Sequence, residues 1–197
     1  MKELDIFKKC IKDETNALLN TIDCFGEEVV DAIRIIQETK GHLIITGVGK
    51  SGHIGEKIAA SMASIGTPSF FVHSTECVHG DLGMITKADT VLLISNSGET
   101  QEVLNVLPSI KTIGAKTIAL TRNHDSTLAK MCDVSLAYKY DKEADNLNLA
   151  PTVSSTITLA IGDALAVTLS TLMNFTKENF HLYHPGGSLG KSLEKVK

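Results

Sequence analysis

Three hydroxyl side chains and a glycine are concentrated in the segment SNSGET, residues 95–100, which we call the serine loop. It directly follows the apolar run 91–94 and leads into a helix-forming stretch. The first amides of a helix have no partner and carry partial positive charge. Gly98 lets the backbone approach an anion closely, and Ser95, Ser97 and Thr100 add hydroxyl donors. The serine loop therefore predicts a phosphate site, with a simple helix cap at Ser97 as the alternative.

A second glycine-rich segment, GVGKSG at residues 47–52, matches the G-x-G-x-x-G pattern of dinucleotide-binding turns. A dinucleotide site also needs an acidic residue at the end of the second strand, but SFFVH ends at His73 and only Glu76 follows in the loop. A Walker A motif would need a glycine where Ile44 stands, which excludes it. We therefore expect a glycine loop beside the serine loop, with Lys50 meeting the ligand as a point charge.

The elements that position these loops can be predicted from hydrophobic patterning. Apolar runs alternate with helical patterns along the chain, which indicates parallel strands joined by crossover helices. The strand-like runs are HLIITG, SFFVH, VLLIS, KTIALT and VSLAY. The predicted helices lie at about 53–64, 99–112, 126–130 and 154–174.

Two amphipathic helices precede the first strand, at about 3–21 and 27–39. The first places Leu4, Phe7, Ile11 and Leu18 on one face, and the second does the same for Val30, Ile33 and Ile36. Together with the apolar last helix, they offer more hydrophobic surface than a five-stranded sheet alone can cover. This pattern favours a symmetric assembly of several copies.

Composition restricts the function classes. The chain has 197 residues, 43% of them hydrophobic, which predicts a single domain over 1–197. A formal charge of -4 with no Lys/Arg run argues against a nucleic-acid groove or an anionic membrane as partner. Four widely spaced cysteines without a C-x-x-C pair indicate free thiols, and the charged N-terminus is unlike a signal peptide. We expect a cytoplasmic protein acting on a small molecule.

Five motifs in order resemble the sugar isomerase (SIS) domain of bacterial arabinose-5-phosphate isomerases. They are GVGKSGHIG, FFVHSTECVHGDLGMI, ISNSGETQEV, LAPTVSSTITLAIGDALAV and YHPGGSLGK. The resemblance covers about 41–193 and implies an α/β fold, a three-layer α/β/α sandwich with a five-stranded parallel sheet. Residues 1–40 would form the helix pair that precedes this core. It further implies interconversion of D-ribulose 5-phosphate and D-arabinose 5-phosphate by a homodimer or homotetramer with shared sites, and no cofactor or metal.

The resemblance also implies roles for individual residues. The positions that match the family's catalytic set are Lys50, His79, Glu102, Glu143 and His184. Those that match its phosphate-binding segments are Gly49, Ser51, Gly52, Ser95, Asn96, Ser97, Gly98 and Thr100. The reaction needs ring opening, transfer of a carbon-bound proton through an enediol(ate), and a donor for the developing oxyanion. A carboxylate, a second acid/base group and a cation would meet these demands.

Each catalytic candidate has a simpler explanation. Glu102 would complement a helix dipole, Glu143 would be a solvated loop carboxylate, and Lys50 a surface lysine. His79 would be a loop hydrogen-bonding residue. The sequence leaves open which glutamate is the proton-transfer base, and it assigns ring opening to His184 as a hypothesis, because the pKa of imidazole lies near neutrality.

Metal ligation is a weaker interpretation of one cluster. His73, Cys77, His79 and Asp81 lie close in sequence but match no standard zinc signature, so we expect no metal there.

The sequence departs from the family pattern in two places. Many relatives carry tandem CBS domains after this region, whereas this sequence stops at Lys197, so we expect a form without them. The segment KEADNLNLAPTVSS replaces the more usual KEACPLGLAPTSS, with Asp145 and Asn146 for Cys-Pro and Asn148 for Gly. Loop shape near Glu143 and the choice of sugar are the features that this change affects.

A sugar-phosphate sensor is the alternative from another functional class, since SIS folds also occur in transcription regulators. A sensor of that kind needs a DNA-reading segment, and the leading helices lack the basic surface for one. The joint presence of Lys50, Glu102, Glu143 and His184 favours catalysis. An isomerase of another sugar phosphate would use the same residues.

Overall fold

The computed structural model describes residues 2–186. The strands are β1 Leu43–Gly47, β2 Ser69–His73, β3 Thr90–Ile94, β4 Lys116–Thr121 and β5 Val134–Ala137. The helices are α1 Glu3–Ile22, α2 Glu27–Glu38, α3 Gly49–Ser64, α4 Ser74–Cys77, α5 Gln101–Leu104, α6 Leu107–Ile113, α7 Thr127–Met131, α8 Val153–Leu172 and α9 Lys177–Tyr183. The end of the last motif and of the expected core, 187–193, lies outside the described residues.

The five strands form one parallel sheet in the order β2-β1-β3-β4-β5. This confirms the predicted fold class. From β1 the chain adds β2 on one side of the sheet and then β3, β4 and β5 on the other. Open α/β sheets bind ligands at the carboxyl ends of the strands where the order reverses in this way, which is called the switch point. The glycine loop follows β1 and the serine loop follows β3, so the two predicted loops are neighbours there.

Hydrophobic residues cover both faces of the sheet because side chains alternate along each strand. In β1, Leu43 and Ile45 belong to the core beneath α2, α3 and α8, whereas Ile44 belongs to the core beneath α5, α6 and α7. The result is the three-layer α/β/α arrangement that the family resemblance implies.

The first helix only partly meets its prediction. Leu18 packs against the core, and the C-terminal half of α1 lies on α8. Leu4, Phe7 and Ile11 are instead exposed, Phe7 to 65%. The apolar stripe at the start of α1 is therefore exposed in the part of the chain that the structure describes.

The predicted helix 99–112 is wrong in its continuity. It is divided into α5 and α6, with Pro108 in the first turn of α6. Proline has no N–H and its ring clashes with the carbonyl four residues earlier, here Leu104, so an unbroken helix cannot form. A second difference is that α3 begins at Gly49 rather than near His53, which places the glycine loop in the first helical turn.

The long apolar helix α8 is the one helix in the described range that is long and apolar enough to span a membrane. Half of its apolar stretch is buried inside the fold, where it packs against α3. Packing in the core accounts for its composition.

A Gly162→Ala substitution should lower stability, because a Cβ built there lies 2.4 Å from Ile58 Cγ1, where α8 meets α3. Overpacking costs about 1–3 kcal/mol, which exceeds the gain of about 0.5–1 kcal/mol from replacing a helical glycine. We expect Tm to fall by about 2–8 °C in thermal denaturation. In an Ile58→Ala background the same change should instead stabilise the protein, and destabilisation there would contradict the steric explanation.

Candidate active site

The serine loop is a compact turn at the end of β3. Ser95 is buried, and its Oγ lies 2.8 Å from Thr100 Oγ1 while accepting the Gly98 N–H at 3.0 Å. Ser97 Oγ accepts the Glu99 N–H at 3.1 Å. These hydroxyl groups therefore shape the loop as well as line it.

Three amides remain available at the start of α5. The backbone N–H groups of Thr100, Gln101 and Glu102 donate no hydrogen bond to any other residue in the range 2–186. Unpaired amides at a helix start favour an anion. The loop thus offers backbone donors together with the hydroxyl groups that the sequence pointed to.

Gly98 is required for this turn. Its φ of 70° lies in the left-handed region, and a Cβ there would lie 2.2 Å from Ser126 Oγ. The Gly98 carbonyl also accepts the Leu128 N–H at 3.0 Å, so the loop packs directly on the start of α7. Gly98 therefore contributes backbone shape to the serine loop.

The G-x-G-x-x-G pattern is explained by packing of α3 against the sheet. A Cβ on Gly52 would lie 3.2 Å from the Gly47 carbonyl oxygen, and Gly49 adopts a φ of 57° at the helix start. This close approach brings Lys50 and Ser51 into the first turn of α3. The pattern therefore does not require a dinucleotide.

A cavity of about 40 Å³ lies where the starts of α3 and α8 meet the serine loop, and we call it the cleft cavity. It is lined by Lys50, Ser51, Ile54, Asn96, Pro151, Ser154, Ser155 and Thr158. A lysine and several hydroxyl groups thus face one small volume at the switch point. Larger cavities occur elsewhere, and an apolar one of about 310 Å³ lies between α1, α2 and α8, away from these groups.

Glu143 is not the solvated carboxylate that its polar surroundings indicate. It is 6% exposed and accepts four hydrogen bonds. Oε2 accepts from the Thr152 N–H at 2.9 Å, from its hydroxyl at 3.1 Å and from the Ser154 N–H at 3.2 Å. Oε1 accepts from the Tyr140 hydroxyl at 3.0 Å. The carboxylate therefore occupies the positive end of α8, where a helix stabilises negative charge.

Burial of Glu143 would raise its pKa, but the hydrogen bonds from Ser154, Thr152 and Tyr140 outweigh that effect and hold the pKa below its usual value. The group is ionised at neutral pH with its lone pairs engaged. In this conformation it is better suited to hold structure than to accept a proton from carbon.

The unusual residues near Glu143 stabilise its loop. Asn148 has a φ of 55°, a conformation that asparagine tolerates, and its Oδ1 accepts the Glu143 N–H at 2.7 Å. Asp145 accepts the N–H groups of Leu147, Leu149 and Ala150, each at 3.0 Å. Asn148 therefore supplies the backbone shape that glycine would give, and the loop keeps Glu143 in place.

Glu102 is in the opposite situation. It is exposed in the first turn of α5, and its carboxylate accepts no hydrogen bond from another residue in the described range. His79 is also exposed, two residues after α4, which packs beside α5. The two side chains therefore belong to the same side of the switch point.

His184 lies at the end of α9, and its contacts within residues 2–186 are local. Its Nδ1 lies 2.9 Å from the Phe180 carbonyl oxygen, and its ring stacks on the Phe180 ring with centroids 3.9 Å apart. It does not line the cleft cavity.

Two residues at this site, Tyr138 and Tyr140, were missed by sequence reasoning. The Asn96 side chain accepts from the Tyr138 hydroxyl at 3.0 Å and donates to the Tyr140 hydroxyl at 2.9 Å. The available signal was the spacing Y-K-Y at the end of β5, which puts both tyrosines on one side of an extended segment.

No group of three or more His, Cys, Asp or Glu side chains within residues 2–186 is arranged to hold a metal ion. His73 Nδ1 instead accepts the Thr75 N–H, and Cys77 is buried.

A Glu143→Gln substitution tests the charge at α8. The native pKa is below the unfolded value of about 4.3, so the carboxylate stabilises the fold fully above that pH and less as pH falls through the native pKa. Near pH 7 we expect the wild type to exceed the variant in unfolding free energy by about 1–3 kcal/mol. Urea denaturation at pH 7 and pH 3 should show this difference shrinking, and a constant difference would contradict the assignment.

The chain was compared with known protein families and with curated and solved proteins. The SIS domain family matches residues 35–168. Arabinose 5-phosphate isomerase KdsD of Pseudomonas aeruginosa is 50% identical over 92% of this chain and 55% of its own length. Arabinose 5-phosphate isomerase KpsF of Escherichia coli O6:H1 is 53% identical over 82% of this chain and 49% of its own length. The chain thus spans about half the length of these curated relatives.

A solved structure from E. coli CFT073, in complex with arabinose 5-phosphate, superimposes with a TM-score of 0.91. It is 50% identical, and the match covers 94% of this chain and all of that one.

Proposed function

The chain belongs to the SIS-domain family, and from that premise we propose that it interconverts D-ribulose 5-phosphate and D-arabinose 5-phosphate. The observation that carries the proposal is the meeting of Lys50 with the serine loop at the switch point of the sheet. Relatives named as arabinose 5-phosphate isomerases, and a similar structure bound to arabinose 5-phosphate, support this choice of sugar.

The substrate phosphate binds the serine loop in this proposal. The unpaired amides at the start of α5 and the hydroxyls of Ser97 and Thr100 donate to its oxygens. Across the switch point, Ser51 in the first turn of α3 lines the cleft cavity together with Asn96 of the serine loop. With the phosphate held there, the sugar carbons extend toward Lys50.

Lys50 then stabilises the oxyanion that develops when a proton leaves C1 or C2. The lysine lines the cleft cavity in the first turn of α3. A fixed positive charge beside a developing enediolate lowers the barrier without needing reorganisation during the reaction.

Glu102 is the proton-transfer base in our proposal. Its carboxylate is free to reach a substrate carbon, whereas the Glu143 carboxylate is engaged by four donors. A base with a free lone pair is better suited to accept a proton from carbon than a carboxylate whose lone pairs are engaged by four donors. Glu143 therefore maintains the geometry of the site.

We assign ring opening to His184 and a substrate contact to His79. Since the contacts of His184 are with its own helix, the imidazole would serve the site of a neighbouring subunit. His79 follows α4, which packs beside α5, the helix that carries Glu102.

The experiment that tests this function is NMR of the purified protein with D-ribulose 5-phosphate in D₂O. Formation of D-arabinose 5-phosphate with deuterium at the carbon that exchanges its proton would support an isomerase with an exchanging base. If neither conversion nor exchange occurs while the sugar phosphate still raises Tm, the protein is a sensor or acts on another sugar. The sensor alternative is not favoured, because phosphate binding alone does not need Lys50 and Glu102.

Assembly into a homodimer or homotetramer is part of the proposal. Leu4, Phe7 and Ile11 on α1 and Val167 on α8 are more than half exposed, so these helices present apolar surface for a second copy. We also propose a cytoplasmic location, which the free thiols of all four cysteines fit.

A charge placed on the exposed stripe of α1 should weaken this assembly. We expect light scattering at micromolar concentration to give a dimer or tetramer mass for the wild type. Phe7→Glu should lower that mass at the same concentration, because a carboxylate would be buried without a partner. Lys8→Glu, one residue away, serves as the matched control. A wild type that is monomeric and active would contradict shared sites.

A further inference from the structure

We infer that Tyr140 is a positioning residue that links the buried Glu143 carboxylate to Asn96, so that Asn96 presents one fixed N–H donor to the substrate. The inference rests on the proposed function and extends it to Tyr140, which the family pattern does not single out. It is carried by the hydrogen bonds of three side chains.

The partners of the Tyr140 hydroxyl fix which hydrogen bonds it accepts and which one it donates. It receives hydrogen bonds from Asn96 Nδ2 at 2.9 Å and Arg122 Nη1 at 3.3 Å, and both of these groups can only donate. Its single proton therefore goes to Glu143 Oε1 at 3.0 Å. The Arg122 guanidinium also lies over the Tyr140 ring, 4.9 Å from its centroid, which holds the ring in place.

The Asn96 amide is fixed on both sides as a result. Its Oδ1 accepts from the Tyr138 hydroxyl at 3.0 Å, and Tyr138 is almost completely buried. One Nδ2 proton points at Tyr140, and a flipped amide would place Oδ1 against a hydroxyl oxygen whose only proton goes to Glu143, so the Tyr140 bond fixes the orientation of the amide. The second Nδ2 proton makes no hydrogen bond to a residue in the described range, and Asn96 lines the cleft cavity with Lys50 and Ser51.

As a consequence, the cleft cavity has a neutral donor, the Asn96 amide, at a defined position together with a cationic donor, Lys50. Lys50 supplies charge to the enediolate, and the free Asn96 N–H is placed to donate to a sugar oxygen in the same cavity. The backbone of Asn96 is held as well, because its carbonyl accepts the Arg122 N–H at 3.0 Å. Glu143 thus acts on the cavity at a distance, through Tyr140.

Tyr140→Phe removes the linking hydroxyl with the smallest change of shape. In the isomerase assay we expect kcat to fall about tenfold with KM within about twofold, since a donor that strengthens only toward the oxyanion affects kcat. In a Glu143→Gln background the same substitution should add less than about a twofold loss, because the two residues act as one unit. Tyr183→Phe is the matched control, since its ring is half exposed and its hydroxyl bonds to no described residue.

A readout independent of activity is hydrogen exchange of the Asn96 side-chain amide, followed by NMR of ¹⁵N-labelled protein and assigned with Asn96→Asp. Tyr140→Phe should speed that exchange at least about tenfold, whereas Tyr183→Phe should not. Unchanged exchange, or a wild-type kcat in Tyr140→Phe, would overturn the inference. If the wild type does not isomerise the sugar phosphate, the proposed function fails and the exchange measurement alone decides the role of Tyr140.

Discussion

Glu102→Gln is expected to lower kcat by about 10²- to 10⁴-fold, the usual contribution of a general acid/base group, and to leave KM nearly unchanged. Glutamine keeps the shape of the side chain but cannot accept a proton from carbon. Because the Glu102 carboxylate bonds to no other described residue, its loss should leave Tm within about a degree. Steady-state kinetics and deuterium wash-in from D₂O, measured on the same preparation, check both statements.

The comparison with Glu143→Gln distinguishes the two carboxylates. That variant should lose stability together with activity, because Thr152, Ser154 and Tyr140 all donate to Glu143. Glu56→Gln, on the exposed side of α3, controls for the loss of one negative charge. A Glu102→Gln enzyme with more than half of the wild-type turnover would remove Glu102 from the role of base.

The parts of the site that sequence could predict are those formed by consecutive residues. The serine loop and the first turn of α3 each follow a strand directly, and parallel strands bring their carboxyl ends to one edge. Five apolar runs separated by helical patterns were therefore enough to predict the sheet and the position of Lys50 and Ser95 within it. The pattern does not give the order of the strands, and it is the pairing of β1 with β3 that places the two loops side by side.

The environment of Glu143 could not be predicted in the same way. A polar segment before Pro151 is typical of a solvated loop, and only folding brings the N–H groups of Thr152 and Ser154 onto its carboxylate. The signal for Tyr140 was equally weak, because its partners Asn96 and Arg122 are 44 and 18 residues away in sequence. Contacts of this kind decide which glutamate is free to react.

The break between α5 and α6 is different, because its cause is local. We predicted a continuous helix over 99–112, although Pro108 lacks an N–H and already indicates an interruption near Leu104. The exposed stripe on α1 differs, because what covers it is not decided by local sequence. Its helical periodicity indicates an apolar face correctly but does not say whether the same chain or a second copy covers it.

Lys50→Met should lower kcat by about 10²- to 10³-fold, the effect of removing one group that stabilises an oxyanion. Methionine retains the length of the apolar stem but not the charge. Since the lysine is exposed and lies in the first turn of α3, stability should change by less than about 0.5 kcal/mol. Steady-state kinetics with the sugar phosphate and thermal denaturation together provide the measurement.

The matched control is Lys57→Met on the same helix. Lys57 pairs with Asp163 at 2.5 Å on the surface, so the substitution removes the same charge about two turns from the cleft cavity. If loss of positive charge simply weakened attraction of the anionic substrate, both variants would raise KM alike and spare kcat. A large fall in kcat confined to Lys50→Met would instead locate the charge at the reacting carbons, because only an interaction that strengthens in the transition state changes kcat. Equal kinetics for the two variants would remove Lys50 from the catalytic set.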